Sequence, residues 1–512
     1  MRGGTAALFG LVLAFGSAAL PAQAATPALR MPRDGLAPAE GLTAPALQEV
    51  GPSLRLPPLW LAQADAPSPA ESKPLAAYAP KRSKDYALPA LEIIGFDTAL
   101  NLFDRRILNE PDYRSNLTSI RNNLKDRWVV DNDPYQINQV GHPYQGAMYH
   151  GFARSAGMSY WEAAGYTFAG SALWEIAGEK TRPSMNDQVA SGIAGSFFGE
   201  ALFRMASLML EHGEGPWREW AAAAISPSMG FNRHVMGYKD VFSSHGAPYY
   251  SRLSFGASGQ TQNSPGASTK VRPSEALLDF SIDYGLPGKP GYEYTEPFDY
   301  FTFQGTASSA NAIENVMVKG LLSGRSYGSG DNGSGNNGSG NTRGLWGLYG
   351  SYDYIAPQTY RISSTALSLG TTLQKWLTQD IALQGTGTAG MGYAAVGTLH
   401  GAGENDYHYG LTPQALLALR LILGQKASLD MTAREYFVTR VGGATTGHDN
   451  IIRTDLAFTW RVSGRHAVSI RYLWNRRDAA YTTLGDRTQS NATFGIFYTL
   501  LGSDRFGATD WR

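Results

Sequence analysis

From about Tyr238 to the end of the chain, apolar and polar positions alternate with a period of two. Ile452, Leu456, Phe458, Trp460 and Val462 alternate with Arg453, Asp455, Thr459 and Arg461. Val468, Ile470, Tyr472 and Trp474 alternate with Ser469, Arg471 and Asn475, and Trp346, Leu348, Tyr352 and Tyr354 repeat the pattern earlier. Such segments are strands with one greasy and one wet side. Strands of soluble sandwiches usually run about five or six residues, whereas these runs reach the roughly 9–11 residues that cross a bilayer at a tilt. About twelve runs can be placed, centred near residues 254, 280, 303, 318, 349, 367, 386, 416, 433, 456, 471 and 496. That is an even number, as bacterial single-chain barrels require. Alternation turns Arg453, Asp455 and Arg461 inward, and assigns Tyr354, Tyr360, Trp460, Tyr472, Trp474 and Tyr498 to interfacial girdles. With both barrel ends periplasmic, the Gly/Ser/Asn-rich stretch 329–341 falls on the side where turns are normally short. A soluble β-sandwich competes with this reading, but it does not need so many aromatics on its outer face.

Upstream the period lengthens. His142 to about Leu210 reads as three helices. Pro143 starts the first and Gly157 ends it. Ser159 and Glu162 have capping-box spacing for the second, and Ser184 and Asp187 repeat the device for the third. Gly192, Gly195 and Gly199 follow at steps of three and four, which lines one face for close backbone approach. The most apolar helical stretch, 189–210, is interrupted by Glu200 and Arg204, so it is not expected to be a clean membrane span. The fold class is therefore α+β: a small helical domain (89–238) before an antiparallel transmembrane β-barrel (239–512). The helices are expected at the barrel mouth or partly inside it, as a periplasmic-side plug or docking piece.

Composition sharpens the picture at the amino terminus. Arg2, an uncharged run from Thr5 to Leu20, Pro21 and Ala22-Gln23-Ala24 make residues 1–24 a cleaved signal peptide; the run is short for a transmembrane anchor. Residues 25–88 are a Pro/Ala-rich linker. The chain of 512 residues carries 43 basic and 43 acidic side chains, which excludes nucleic acid as a partner. Only 17% of residues are charged and there is no Cys, so disulfides, thiolate metal sites and a lipidated Cys are excluded. The expected partner is outer-membrane lipid of a Gram-negative envelope, with an envelope protein partner left open.

The barrel stretch holds no G-x-S-x-G, H-E-x-x-H or P-loop motif. His400 and His408, near Glu404 and Asp406, read as a solvated polar loop rather than a metal site. The helices are richer in ionisable groups. Glu200 and Arg204 form an i,i+4 pair, His150 and Arg154 share a stripe, and Asp187 completes a cap, so these five form a structural network. Glu175 and Glu179 are harder to place: four residues apart at a helix end, they repel each other and oppose the helix dipole. Either a salt-bridge network offsets them, or they work with His142 or His150 as an acid/base pair or as ligands of a divalent metal.

The string Asn138-Gln139, His142-Pro143-Tyr144-x-Gly146, Tyr149, Ala153-Arg154, Gly157, Trp174-Glu175, Glu179, Pro183-Ser184-x-Asn186-Asp187, Gly199-Glu200 and Gly230-Phe231-Asn232-Arg233 resembles the bacterial domain of unknown function (DUF) 3943 family, over roughly residues 90–235. The resemblance implies a domain boundary and an envelope location, and no reaction. Two functions follow as expectations. The first is an outer-membrane barrel with a structural or transport role. The alternative is an envelope lipid- or glycan-modifying hydrolase built on Glu175, Glu179 and His142.

Overall fold

A computed structural model describes residues 84–211, 215–239, 249–264, 272–287, 294–328, 342–397, 405, 407–440, 447–482, 485–503 and 506–507. The signal-peptide segment, all of the linker up to residue 83, stretch 329–341 and His400 lie outside them. Twelve strands close on themselves. They are β1 Tyr249–Ser264, β2 Ser274–Tyr284, β3 Phe301–Ser308, β4 Asn315–Gly328, β5 Thr342–Ile355 and β6 Arg361–Trp376. They continue as β7 Ile381–Gly397, β8 Tyr407–Leu423, β9 Ala427–Arg440, β10 Gly447–Ser463, β11 His466–Tyr481 and β12 Gly485–Leu501. Each of the twelve sequence-derived centres falls inside its strand. Every pairing is antiparallel between chain neighbours, and β1 closes on β12 from Arg252↔Leu501 to Ser264↔Ser490. No strand edge is left over, which excludes the sandwich.

The two faces of the wall separate by chemistry, as alternation requires. The lumen is crossed by ion pairs, among them Arg420–Asp430 and Arg420–Asp283 (both 2.5 Å), Arg252–Asp430 (3.3 Å), Arg471–Asp455 and Arg477–Asp449 (2.7 Å). These side chains fill the interior. A cavity of about 150 Å³ remains, lined by Arg252, Asp283, Lys319, Arg420, Arg434 and Arg453 among others. Outward, Phe255, Leu369, Met391, Leu417, Phe458, Trp460, Ile470, Phe494, Ile496 and Tyr498 are exposed.

Among the described residues seven helices precede the barrel: α1 Ala87–Phe103, α2 Leu117–Asn123, α3 His142–Ser155, α4 Tyr160–Leu173, α5 Met185–Glu211, α6 Pro216–Ile225 and α7 Pro227–His234. They neither plug the lumen nor sit across its mouth, contrary to the sequence expectation. They pack on the outward face of the wall. Phe197, Ala201, Met205 and Leu208 of α5, with Tyr160, form one core with Ile282, Tyr284, Phe301, Val318 and Leu322. Tyr135 and Ala194 form another with Tyr352, Tyr354 and Ala395. These wall residues alternate with lumen-lining Asp283, Thr302 and Lys319, so they belong to the outer set. The reason is complementarity: the lumen is already occupied by its own charges, whereas the outer residues of β2–β5 are apolar and match the apolar side of α5. Two aromatics assigned to a girdle are corrected by the same geometry. Tyr354 is buried against the helices, and Tyr360 is buried and donates to Asn475 Oδ1 (3.0 Å).

Candidate metal centre and the buried ion network

The local structure of the helices explains where their polar groups meet. A π-helical turn, Ile137–Gly141, runs directly into α3, so the helical run begins before His142 and Pro143 sits inside it. Proline has no N–H for the carbonyl four residues back. That carbonyl, Gln139, accepts instead from Tyr352 Oη of β5 (2.5 Å). Gly157 ends the turn after α3 with φ +91°. Ser159 and Glu162 form the reciprocal capping box expected for α4. At α5 only half of that device forms. Ser184 Oγ accepts from the Asp187 N–H (3.2 Å), while the Asp187 carboxylate turns away toward Asn186 and His142.

Another π-helical segment, Gln188–Ala194, lies near the start of α5 and shifts its phase. Gly195 and Gly199 therefore meet α3, where an added Cβ would come 2.6 Å from Gly146 Cα and 2.7 Å from His150 Cβ. Gly192, expected on the same face, lies against Phe168 of α4 instead.

This packing produces two separate polar clusters. In the first, Glu200 accepts from His150 Nε2 (3.0 Å), Arg154 Nε (2.7 Å) and Arg204 Nε (2.7 Å), and Arg204 Nη1 donates to Asp299 Oδ1 (3.0 Å). All four helical residues are buried. This is the expected structural network without Asp187, and it extends through Asp299 to the β2–β3 connection. Two cations and a shared carboxylate satisfy one another here, so it is a cross-brace between helices and barrel.

In the second cluster, His142, Glu175 and Asp187 converge. One donor atom from each lies within 4.8 Å of the others, and all three are buried. His142 Nε2 stands 3.7 Å from Asp187 Oδ2, too far for a hydrogen bond. Glu175 Oε2 accepts from the Ser184 N–H (2.8 Å). Asp131, which sequence reasoning passed over, accepts from Asn138 (2.8 Å) and Asn186 (2.7 Å), and both amides also reach Tyr409 Oη of β8. The nearest available signal was the pair Asp131 and Asp133 just ahead of Pro134. Among the described residues no Lys or Arg pairs with Glu175 or Asp187. The cations nearest in sequence serve other carboxylates: Arg154 pairs with Glu200, and Lys180 approaches Asp112 (3.8 Å).

Glu179 does not join this group. It lies one residue past the π-turn Trp174–Gly178, and its carboxylate accepts from Trp174 Nε1 (2.7 Å) and Thr181 Oγ1 (2.9 Å). Burial first, then the charge of Asp133, pushes its pKa up to about 7, against the lowering effect of those two hydrogen bonds. Of the two proposed roles of His150, the structural one fits its placement. His408 also departs from expectation: it is buried on β8, 3.1 Å from Asp449, in a lumen cluster with Tyr481.

A set of two carboxylates and one imidazole, buried without a cationic partner, has the donor chemistry of a divalent-metal site. Residues 127–228 match the family described as a domain of unknown function (DUF3943). That stretch includes His142, Glu175, Glu179, Asp187 and the Glu200 network. None of the curated proteins matches this chain. Among solved structures, the chain is similar to a loop-deletion mutant of OmpT, an outer membrane protein of Vibrio cholerae. There the identity is 12%, the TM-score 0.21, and the match covers 49% of this chain and 98% of that one. It is also similar to an outer membrane channel from Pseudomonas putida F1 (10%, TM-score 0.24, 50% and 96%). A third is the P. putida toluene transporter TodX (9%, TM-score 0.20, 51% and 90%). At such TM-scores none of these defines the cargo or chemistry of this chain.

Proposed function

We propose that this chain is an integral barrel protein of a Gram-negative outer membrane, exported by a cleaved signal peptide, with a structural or transport role. The observation that carries this reading is the closed twelve-strand wall with an apolar exterior and an ion-paired interior. At the end where the barrel begins and ends, β8–β9 and β10–β11 are joined by tight turns at Gly424–Lys426 (φ +56° at Gly424) and Gly464–Arg465 (φ +53° at Gly464), as at periplasmic ends, while β2–β3 and β4–β5 are joined there by longer connections. Because the lumen is packed, any transported solute is small or moves with rearrangement of the Arg/Asp ladder. On an unboiled gel the purified protein migrates differently from the boiled one, since a closed barrel resists unfolding in detergent. A chain that is monodisperse in buffer without detergent overturns the reading. A mature mass beginning near Ala25 checks the export step.

The His142–Glu175–Asp187 group favours one second reading, a metal-dependent hydrolase acting on envelope lipid or glycan. In it the two carboxylates and the imidazole hold the cation, which would supply an activated water. The detergent-purified protein then contains Zn, Ca or Mg, and Glu175→Gln loses it with heat-modifiable migration intact. A wild type without bound metal removes this reading.

A further inference from the structure

We infer that the helical layer is itself immersed in the bilayer, so that α1 and α4, rather than the wall strands they screen, meet the hydrocarbon. This rests on the barrel reading above and extends it to a part of the chain that the sequence led us to expect at the barrel mouth or partly inside it.

The layer is inside-out. On α1 the exposed positions are Ala87, Leu91 (66% exposed), Ile94 (50%), Gly95, Thr98, Ala99 and Leu102, while its charged residues, Glu92 and Asp97, face inward and are buried. On α4 the exposed side carries Trp161 (62%), Gly165, Phe168 and Ala169, and Glu175 in the following turn is buried. From Ala87 to Asp104, and from Ala163 to Gly178, no charged side chain is exposed. The interior holds the Glu200 network and the His142 group. A water-soluble unit puts ionisable groups outside and apolar ones inside; one in hydrocarbon does the reverse.

The helices also have the length a bilayer needs. α1 with its π-turn, Ala87–Leu108, spans about 33 Å, and Tyr160–Gly178 about 28 Å. A hydrocarbon core is about 30 Å thick. α5 has the length and composition of a membrane-crossing helix, which its interruption by Glu200 and Arg204 argued against. Both residues are neutralised within the network, so the objection falls.

The position of the layer agrees. The layer touches the wall along its whole height, from Asp299 near the chain-terminus end to Tyr409 at the opposite end. A periplasmic domain would reach one end only. Charged residues gather at the two rims: Lys84, Glu162, Glu219 and Arg233 at one, and Arg105, Arg106, Arg121, Lys125, Lys180 and Arg182 at the other. An apolar band between charged rims continues the barrel's own belt around the molecule.

The chain has no native Cys, so single-cysteine variants of the full chain report position cleanly. Ile94→Cys, Ala99→Cys and Phe168→Cys probe the layer, Ile496→Cys the barrel belt, and Arg106→Cys and Glu219→Cys the rims. Each variant is first checked for heat-modifiable migration. It is then exposed, in phosphatidylethanolamine/phosphatidylglycerol liposomes, to a water-soluble maleimide. The expected result is labelling at 94, 99 and 168 at least about ten-fold slower than at the rims and as slow as at 496. Fast labelling at 94, 99 and 168 with 496 protected overturns the inference and leaves the barrel reading standing. Fast labelling at 496 as well overturns both.

Discussion

Pro143 shows how one residue ties two parts of the molecule together. Its missing N–H frees the Gln139 carbonyl, and Tyr352, whose side chain leaves the barrel outward, donates to it. Tyr352→Phe removes that buried hydrogen bond and costs about 0.5–1.5 kcal/mol, read as a lower denaturation midpoint of the detergent-solubilised protein. Glu200→Gln removes the carboxylate shared by His150, Arg154 and Arg204, and strands buried guanidinium groups. The expected loss is about 3–5 kcal/mol by the same measurement. Glu179 sets a pH dependence. Its folded pKa near 7 exceeds the ordinary 4.5, so the folded state holds the proton more tightly than the unfolded state. Its contribution is full below about pH 4.5 and is lost as pH rises through about 7. Stability of the helical layer therefore falls from pH 5 to pH 8, and Glu179→Gln flattens that slope in parallel denaturation series.

At the scale of elements, π-helical turns decide which faces meet. Gln188–Ala194 takes Gly192 off the face shared by Gly195 and Gly199, which a uniform 3.6-residue period cannot anticipate. Gly199→Leu places side-chain atoms where His150 Cβ and Ala147 stand. It should separate α3 from α5, disrupt the Glu200 network and open the layer to protease, while the strands keep their heat-modifiable migration. The strands are legible for the opposite reason: a period of two survives bulges that shift register locally, such as Leu321/Ser323 on β4 and Arg461/Ser463 on β10.

For the whole molecule, one wall meets two different neighbours. Strands β8 to β12 and β1 expose their outer residues, whereas the outer residues of β2 to β5 are largely covered by helices. A charge introduced on the exposed arc is costly in lipid: Ile496→Lys should lose about 2–4 kcal/mol in bilayers if it lies near the midplane. In contrast, Gly350 is a packing position, since a Cβ there would stand 2.5 Å from the Phe197 ring of α5. Gly350→Val should loosen the layer without affecting closure of the barrel.

Local pattern alone gave about twelve strands, the inward or outward face of most of their side chains and the α4 capping box, because those depend on neighbours one to four residues apart. It also singled out Glu175 and Glu179 as residues in need of an explanation, offered His142 as a partner and read Asp187 as a cap, whereas the group that forms is His142, Glu175 and Asp187. It could not pair them, because they sit on three helices up to 45 residues apart and meet only when α3, α4 and α5 pack. Nor could it place the helices. Leu348 and Tyr352, which face α5 and the Gln139 carbonyl, have the same alternation as Leu456 and Phe458, which are exposed. An apolar surface gains from leaving water whatever covers it, so only the assembled wall, with its lumen already filled by charge, determined which of its two sides received the helical layer.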